Sequence, residues 1–430
     1  MTAPPPRRGP RPLPLHLILG ASRGMAAIAS AAHPLALTGS PNWNGGSLNW
    51  SGPNGNGPGW NGMGRPVSPA GQAEMRRIAA ALAAANQPPE AFRAAVIRRL
   101  LRADRALLAG LAAYRRHPYS RSLPDPPAIW AEGGSRLLDY APGAPGTPVL
   151  FVPSLVNRAQ VLDLMPGRSL LRFLAAQGQR PLLLDWGWPE AAERGFSLTD
   201  YIAGRLERAL AALPGPVVLV GYCMGGLLAL AAALRRPDRV AALGLLATPW
   251  DFHADAAEAD RARSASALLP GLEPMLAATG ALPVDVMQTL FAGLDPFGIP
   301  QKFRAFARLD PASERAAQFV ALEDWLNDGV PLAAPVAREA LGGWYGANTP
   351  HCLAWRIAGA VVDPAALAVP AFCAVPARDR IVPPASARAL AARLPQASIH
   401  IAAAGHIGMA AGSAAETALW RPLLAWLRGL

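Results

Sequence analysis

The sequence predicts an α/β protein built on a mostly parallel β-sheet with helices on both faces. From about residue 128 onward, short apolar runs alternate with helical segments, and a glycine-rich turn joins one such run to a helix. Strands buried on both faces consist of nearly continuous Val, Ile and Leu residues, as these runs do. The predicted strands are residues 148–152, 181–184, 217–220, 240–246, 369–375 and 398–401.

Composition is typical of a globular protein in a reducing compartment. The chain has 430 residues, of which 52% are hydrophobic, and no stretch has the length of a continuous apolar transmembrane span. The three cysteines, Cys223, Cys352 and Cys373, are too few for a disulfide framework and favour a cytoplasmic location. No spacing of cysteine and histidine indicates a metal site.

The formal net charge of +11 is carried by arginine. A basic surface attracts nucleic acid, anionic lipid or an acidic carrier such as coenzyme A. No nucleic-acid reader motif and no basic run interleaved with aromatic residues accompanies the charge, so we expect no nucleic-acid partner.

The chain divides into five predicted segments. Residues 1–70, rich in proline and then in glycine, asparagine and tryptophan, are expected to be a disordered tail. Residues 71–125 are expected to be helical, with a basic side that is either solvated or in contact with a partner. Residues 126–249 and 366–430 hold the predicted strands as two parts of one core. Residues 250–365, rich in Trp, Phe and Pro, are expected to form a cap or lid over the site.

A turn with a cysteine at its centre is the first candidate for a catalytic group. Between a predicted strand and a predicted helix, Gly221, Cys223 and Gly225 form a G-x-C-x-G sequence that Gly226 follows. Such an elbow holds its middle residue in a strained conformation at a helix N-terminus, where backbone N–H groups stabilise a thiolate and later an oxyanion. For the turn alone, a buried structural cysteine is an equally good interpretation.

Two further residues complete a candidate triad, because a cysteine nucleophile needs a base and a group that orients the base. Asp379 follows the predicted strand at 369–375, and His406 follows the strand at 398–401. The order nucleophile, acid, histidine, each after a strand, is that of hydrolases with a nucleophile elbow. Taken singly, Asp379 could be a turn former and His406 a loop residue, but together with Cys223 they favour catalysis.

Several further stretches resemble the polyhydroxyalkanoate synthase family, whose members have the α/β-hydrolase fold. The resemblance is strongest to the shorter synthases that work with a helper subunit, although the Gly/Asn/Trp-rich N-terminal tract departs from that class. The stretches are VPSLVNRAQVLDLMPGRSLLRFL (152–174), LLLDWGWPE (182–190), SLTDYIAGRLERAL (197–210), GYCMGG (221–226), LEDWLNDG (322–329), RDRIVPPASA (378–387) and GHIG (405–408).

The resemblance implies that the chain polymerises (R)-3-hydroxyacyl-CoA into polyester and releases CoA through an acyl-cysteine. By position, Cys223 would carry the acyl group and His406 would deprotonate it. Asp379 would orient His406 or help to activate the incoming hydroxyl. A thiol suits this chemistry because loading from a thioester is nearly balanced, whereas a serine ester would form steeply downhill.

The resemblance also implies substrate contacts and partners. The oxyanion hole would come from the backbone of Met224 with Leu155 and Val156. Substrate contacts are expected at three residues, namely Asn157, Asp185 and Trp186. No metal or cofactor is implied beyond the hydroxyacyl-CoA substrate. The expected partners are a polyester granule surface and a second copy of the chain or a helper subunit, with the protein in the cytoplasm or on granules.

Two other functions are compatible with the sequence. A hydrolase or thioesterase would release the acyl group to water, and a granule-associated binding protein could have the same fold without catalysis. Insoluble polyester with free CoA indicates a synthase, and soluble hydroxy acid indicates a hydrolase. Failure of a substrate analogue to label Cys223 would favour the binding protein.

Overall fold

A computed structural model describes residues 7, 9–32 and 69–430 of the chain. The chain divides into two compact units. The first comprises Met1–Leu13, Tyr114–Pro296 and Leu309–Leu430, and the second comprises Pro14–Ala113 and Phe297–Arg308. None of the helices in these described ranges is both long enough and apolar enough to span a membrane.

The first unit contains an eight-stranded sheet and three two-stranded ones. The strands are β1 (Ala128–Glu132), β2 (Ser135–Asp139), β3 (Val149–Val152), β4 (Asp163–Met165), β5 (Arg168–Ser169), β6 (Pro181–Asp185), β7 (Val217–Tyr222), β8 (Val240–Leu246), β9 (Ala281–Leu282), β10 (Leu332–Ala333), β11 (Arg356–Ile357), β12 (Ala360–Val361), β13 (Ala371–Pro376) and β14 (Ala397–Ala402).

The large sheet has the order β1-β2-β6-β3-β7-β8-β13-β14. From β6 to β14 every neighbouring pair is parallel, whereas β2 is antiparallel to both β6 and β1. The six predicted strands are all present, so the mostly parallel α/β fold is confirmed. The sequence did not predict β1 and β2, because these two strands lie at and next to an edge of the sheet and lack a continuous apolar run.

Both units also contain helices. They are α1 (Leu13–Ala32), α2 (Pro69–Ala84), α3 (Pro89–Arg116), α4 (Leu170–Ala176), α5 (Glu207–Ala211), α6 (Met224–Arg235), α7 (Ala256–Ser266), α8 (Leu269–Thr279), α9 (Val284–Ala292), α10 (Gly298–Phe306), α11 (Glu314–Asn327), α12 (Ala334–Arg338), α13 (Pro384–Ala391), α14 (His406–Ala411) and α15 (Arg421–Leu427). Short 3₁₀ segments are Ala159–Leu162, Glu193–Gly195 and Pro364–Ala366, and π-helical segments are Asp200–Leu206, Glu339–Gly346 and Glu416–Trp420.

Both faces of the sheet are buried at its central strands, as the sequence predicts for a parallel sheet. Successive residues of β7 belong to different apolar clusters: Val217 and Leu219 pack in one, Val218 and Val220 in the other. This alternation follows from the two-residue period of a strand. Helix α6 contributes to the first cluster and helix α15 to the second, so helices cover the two faces.

The second unit brings helix α10 against helix α3. A Cβ atom on Gly110 would overlap the Phe303 carbonyl, so the absence of a side chain permits this close approach. Arg304 Nε donates to the Ala103 carbonyl oxygen at 3.0 Å. Residues 297–308, which the sequence places inside the predicted cap, therefore group with the N-terminal helices. The predicted boundary at residue 250 and the lid role of residues 250–365 stay predictions.

Part of the predicted disordered tail is ordered in the structure. Leu13–Ala32 forms helix α1, because Pro14 is tolerated in a first helical turn and the Leu, Ile and Ala residues that follow favour helix. Residues 1–6, 8 and 33–68 of the predicted tail lie outside the described residues.

Two arginines of the predicted tail also contact helix α11 in the first unit. Arg7 donates through Nε to Asp324 Oδ1 at 2.7 Å and through Nη2 to Asp324 Oδ2 at 2.8 Å. The backbone N–H of Arg11 donates to Asn327 Oδ1 at 2.9 Å. Both arginines therefore belong to the folded first unit, although the sequence analysis assigned them to a tail expected to be disordered.

Candidate active site

Cys223 lies on a sharp elbow between β7 and α6. Its φ of 57° and ψ of −128° are a rare conformation for a residue with a side chain. The Cys223 N–H donates to the Leu246 carbonyl oxygen at 2.8 Å, and the Cys223 carbonyl oxygen accepts from Gly226 N–H at 2.9 Å. These bonds hold the strained residue between the end of the strand and the first turn of the helix.

The glycines around Cys223 are required by close packing. A Cβ atom on Gly221 would overlap the backbone of Gly226. At Gly225 it would overlap the Val152 carbonyl oxygen, and at Gly226 it would overlap the Thr248 side chain. The G-x-C-x-G-G spacing thus brings the elbow against β3 and the segment that follows β8.

His406 and Asp379 form the rest of the predicted triad. His406 Nδ1 lies 2.6 Å from Asp379 Oδ2. Asp379 Oδ1 accepts from the N–H groups of Ile381 at 2.8 Å and Val382 at 2.9 Å. Both carboxylate oxygens are thus bonded within the protein, and Asp379 is only 6% exposed. This arrangement fixes the imidazole ring.

The thiol of Cys223 is close enough to change the ionisation of His406. Burial lowers the pKa of His406, but the charge of Cys223, the hydrogen bonds to Asp379 and Cys223, and the Asp379 charge outweigh burial and raise this pKa to about 10. Because Asp379 engages Nδ1, the other ring nitrogen is left for the thiol. The protonated form of the His406 imidazole is therefore stabilised.

Two tyrosines that were not predicted as site residues interact with this pair, one by ring contact and one electrostatically. The ring centroids of Tyr222 and His406 are 5.2 Å apart, and the Tyr222 hydroxyl donates to the His406 carbonyl oxygen at 3.3 Å. Burial and then the charge of Cys223 raise the pKa of Tyr345 to about 12. The position of Tyr222 directly before Cys223 was a usable signal, whereas Tyr345 lies in the predicted cap, where a single aromatic residue is not distinctive.

The predicted oxyanion loop follows β3. Its Val156 N–H donates to Ser154 Oγ at 3.1 Å, so this N–H is already bonded. Within the part of the chain that the structure describes, the Leu155 N–H has no such partner, and Met224 N–H belongs to the unbonded first turn of α6. Leu155 and Met224 are thus the better pair of donors, and the oxyanion hole stays a prediction.

The three predicted substrate contacts differ in their surroundings. Asp185 accepts from Arg136 Nη2 at 3.0 Å and from Gly187 N–H at 3.1 Å, and Trp186 Nε1 donates to the Pro153 carbonyl oxygen at 3.0 Å. These bonds fix both side chains within the fold, and substrate contact at Asp185 and Trp186 stays a prediction.

Asn157, the third predicted contact, lies on the oxyanion loop. Its backbone forms a β-bridge with Gly329, and its buried Oδ1 atom has no bonding partner among the described residues. Asn157 therefore keeps its side-chain acceptor available next to the predicted oxyanion donors.

The triad is covered in this structure. Cys223 is half-buried, and His406 is 8% exposed. A cavity of about 270 Å³ lies at the other end of α6, where its lining includes Arg235 and Ile357 and none of the triad. Across the described ranges, no group of three or more His, Cys, Asp or Glu residues is arranged to hold a metal ion.

Fold and site together match a known class. The alpha/beta hydrolase fold family matches residues 147–412, more than half of the chain, and the chain belongs to that family. Its sheet order, elbow and Asp–His pair are consistent with this membership.

The chain is further similar to polymerases of polyhydroxyalkanoates. It is 29% identical over 313 residues to the poly(3-hydroxyalkanoate) polymerase subunit PhaC of Allochromatium vinosum, covering 70% of this chain and 87% of that protein. It is 29% identical over 291 residues to the subunit of the same name from Synechocystis, covering 65% of this chain and 77% of that protein. The resemblance to this family is thus confirmed.

Proposed function

We propose that the chain is a polyhydroxyalkanoate synthase that polymerises (R)-3-hydroxyacyl-CoA and releases CoA through an acyl-cysteine. The observation that carries this proposal is a thiol on the nucleophile elbow, near an imidazole, that of His406, which Asp379 holds in place. The similarity to poly(3-hydroxyalkanoate) polymerase subunits supports the choice of substrate.

In the loading step, His406 accepts the Cys223 proton and the sulfur attacks the thioester carbonyl carbon. The negative charge that develops on the carbonyl oxygen is stabilised by the N–H groups of Leu155 and Met224. The C–S bond to CoA then breaks, and His406 returns the proton to the departing CoA thiol. One thioester replaces another, so this step is nearly balanced in free energy.

In the transfer step, the hydroxyl of another acyl unit attacks the acyl-cysteine. His406 takes the hydroxyl proton, an ester bond forms, the bond to the Cys223 sulfur breaks, and the proton returns to the thiol. Asp379 orients His406 in both steps, because its two oxygens are bonded to the ring and to two backbone N–H groups. This bonding pattern favours the orienting role over direct activation of the hydroxyl.

A hydrolase is the second candidate, because the same triad would act if water replaced the hydroxyl. Burial of the triad favours transfer over hydrolysis, since access of water to the acyl-cysteine is restricted. We further propose that a polyester granule surface and a second copy or helper subunit are the partners of the chain, and that it is cytoplasmic.

The test uses purified protein and (R)-3-hydroxybutyryl-CoA, with free CoA measured by chromatography and polymer by turbidity. We expect CoA release with turbidity from wild type, and neither from Cys223→Ala. The exposed Cys352 supplies a matched control, since Cys352→Ala should keep both signals. CoA release by a folded Cys223→Ala variant would refute the nucleophile, and soluble hydroxy acid without polymer would identify a hydrolase.

A further inference from the structure

Two exposed arginines flank the buried acid of the triad. Arg378 and Arg380 are both exposed, whereas Asp379 between them is 6% exposed. The inward turn of Asp379 is fixed by its bonds to His406 and to two backbone N–H groups. The chain geometry of this loop therefore directs two guanidinium groups to the surface beside the triad.

The contacts of the two guanidinium groups are weak ones. Arg380 Nη1 lies 2.8 Å from Asp295 Oδ2, and the two side chains are 73% and 50% exposed. An exposed ion pair of this kind contributes about 1 kcal/mol or less, so a competing anion can replace it. Arg378 Nη2 donates to the Ala403 carbonyl oxygen at 3.0 Å, on the loop before His406. Among the residues that the structure describes, Arg378 has no carboxylate partner.

The chemistry of the reaction suggests which anion binds there. The acyl group and the polyester chain are uncharged, and the negative charge of a CoA thioester lies on its phosphate groups. A guanidinium binds phosphate through two parallel hydrogen bonds, more strongly than a neutral donor does. The pantetheine arm of CoA can connect a thioester at Cys223 with a phosphate at the surface.

We propose that Arg378 and Arg380 bind the phosphate groups of the CoA portion of the substrate, and that a phosphate displaces Asp295 from Arg380. This inference rests on the proposed function. Once CoA leaves, Arg380 returns to Asp295, which follows helix α9 in the predicted cap. The uncharged chain left on Cys223 does not compete for Arg380.

The experiment compares two thioesters with the same acyl group, (R)-3-hydroxybutyryl-CoA and the (R)-3-hydroxybutyryl thioester of N-acetylcysteamine, which has no phosphate. In Arg380→Gln we expect KM for the CoA thioester to rise about tenfold, the ratio that about 1.4 kcal/mol corresponds to. We expect a similar rise in Arg378→Gln and no matching rise for the short thioester. Asp295→Asn should lower KM for the CoA thioester, because Arg380 is then unpaired.

A matched control is Arg421→Gln, which removes an exposed arginine paired with Glu416 in the C-terminal region and should leave both KM values unchanged. Equal KM changes for the two thioesters, or no change for the CoA thioester, would overturn the proposal. Calorimetric titration with free CoA and with pantetheine gives a readout independent of turnover. Weaker binding of CoA by Arg380→Gln supports the site even where no polymer forms, and unchanged CoA binding refutes it.

Discussion

Removal of the Arg7 side chain is predicted to destabilise the first unit, although this residue lies in a tract whose composition suggested disorder. Its guanidinium donates to both oxygens of Asp324 and to the His117 carbonyl oxygen, the last at 2.5 Å. In Arg7→Ala, Asp324 would keep the hydroxyl of Tyr114, 2.8 Å away, but lose its cation.

The size of the expected stability loss in Arg7→Ala follows from the burial of the ion pair. The Arg7 side chain is 15% exposed and that of Asp324 is 34% exposed, so water screens the pair only in part. Hydrogen bonds to charged groups contribute about 1.5 to 3 kcal/mol, and we expect a loss of about 2 kcal/mol in the free energy of unfolding after allowance for screening. With a urea m-value of about 3 kcal/mol per M, the unfolding midpoint falls by about 0.7 M.

The assay is urea unfolding followed by tryptophan fluorescence, with Arg421→Ala as control. Arg421 pairs with Glu416, and the side chains are 68% and 44% exposed, so its loss should change the free energy of unfolding by less than about 0.5 kcal/mol. A midpoint for Arg7→Ala equal to that of wild type would show that the observed bonds contribute no net stability. Equal shifts in both variants would point to a general charge effect.

Two further predictions concern the elbow and the imidazole. Gly226→Ala should lower the free energy of unfolding by at least about 2 kcal/mol, because the added Cβ would overlap Thr248. In the control Gly215→Ala, no atom lies within 4 Å of the added Cβ, so its free energy of unfolding should be near that of wild type. Similar urea midpoints for the two variants would contradict this packing. In Cys223→Ala the pKa of His406 should fall below about 10, measured by NMR titration of the imidazole, because the largest raising contribution is lost. The raised pKa of His406 contributes stability that is fully present below pH 6.5 and is lost as pH rises toward 10. This pH dependence of stability should weaken in Cys223→Ala, and an unchanged titration of His406 in that variant would refute its coupling to Cys223.

The parallel part of the sheet was predictable because its strands are buried on both faces and therefore apolar throughout. Strand β1 was not, since most of its residues are exposed and it has no apolar run to detect. Helix α10 shows a different limit. Its place beside Gly110 depends on a contact between residues far apart in sequence, and local composition assigned it to the cap.

The positions of the three candidate residues after their strands were predictable for a related reason. Cys223, Asp379 and His406 each follow a strand that the sequence marks clearly, so their order along the chain implied their meeting. Asp185 lies in one of the stretches that resemble the synthase family, and it was named for that reason. Its ion-pair partner Arg136 lies on β2, which was not predicted. Local sequence therefore did not reveal this ion pair, and substrate contact at Asp185 stays a prediction.

The site also explains how a hydrolase fold could support polymer growth. Under the proposed function, Cys223 and the Asp–His pair would provide the same proton transfers whether water or a hydroxyl attacks, so the triad alone would not select the product. Selection therefore depends on what reaches the acyl-cysteine. Cys223 packs against three hydrophobic clusters, and this packing would restrict the access of water to it. The basic loop of Arg378 and Arg380 would concentrate a substrate whose thiol carrier is anionic. An incoming hydroxyl on such a substrate would thereby be favoured over water, and the thiol would keep the acyl group activated until that hydroxyl arrives.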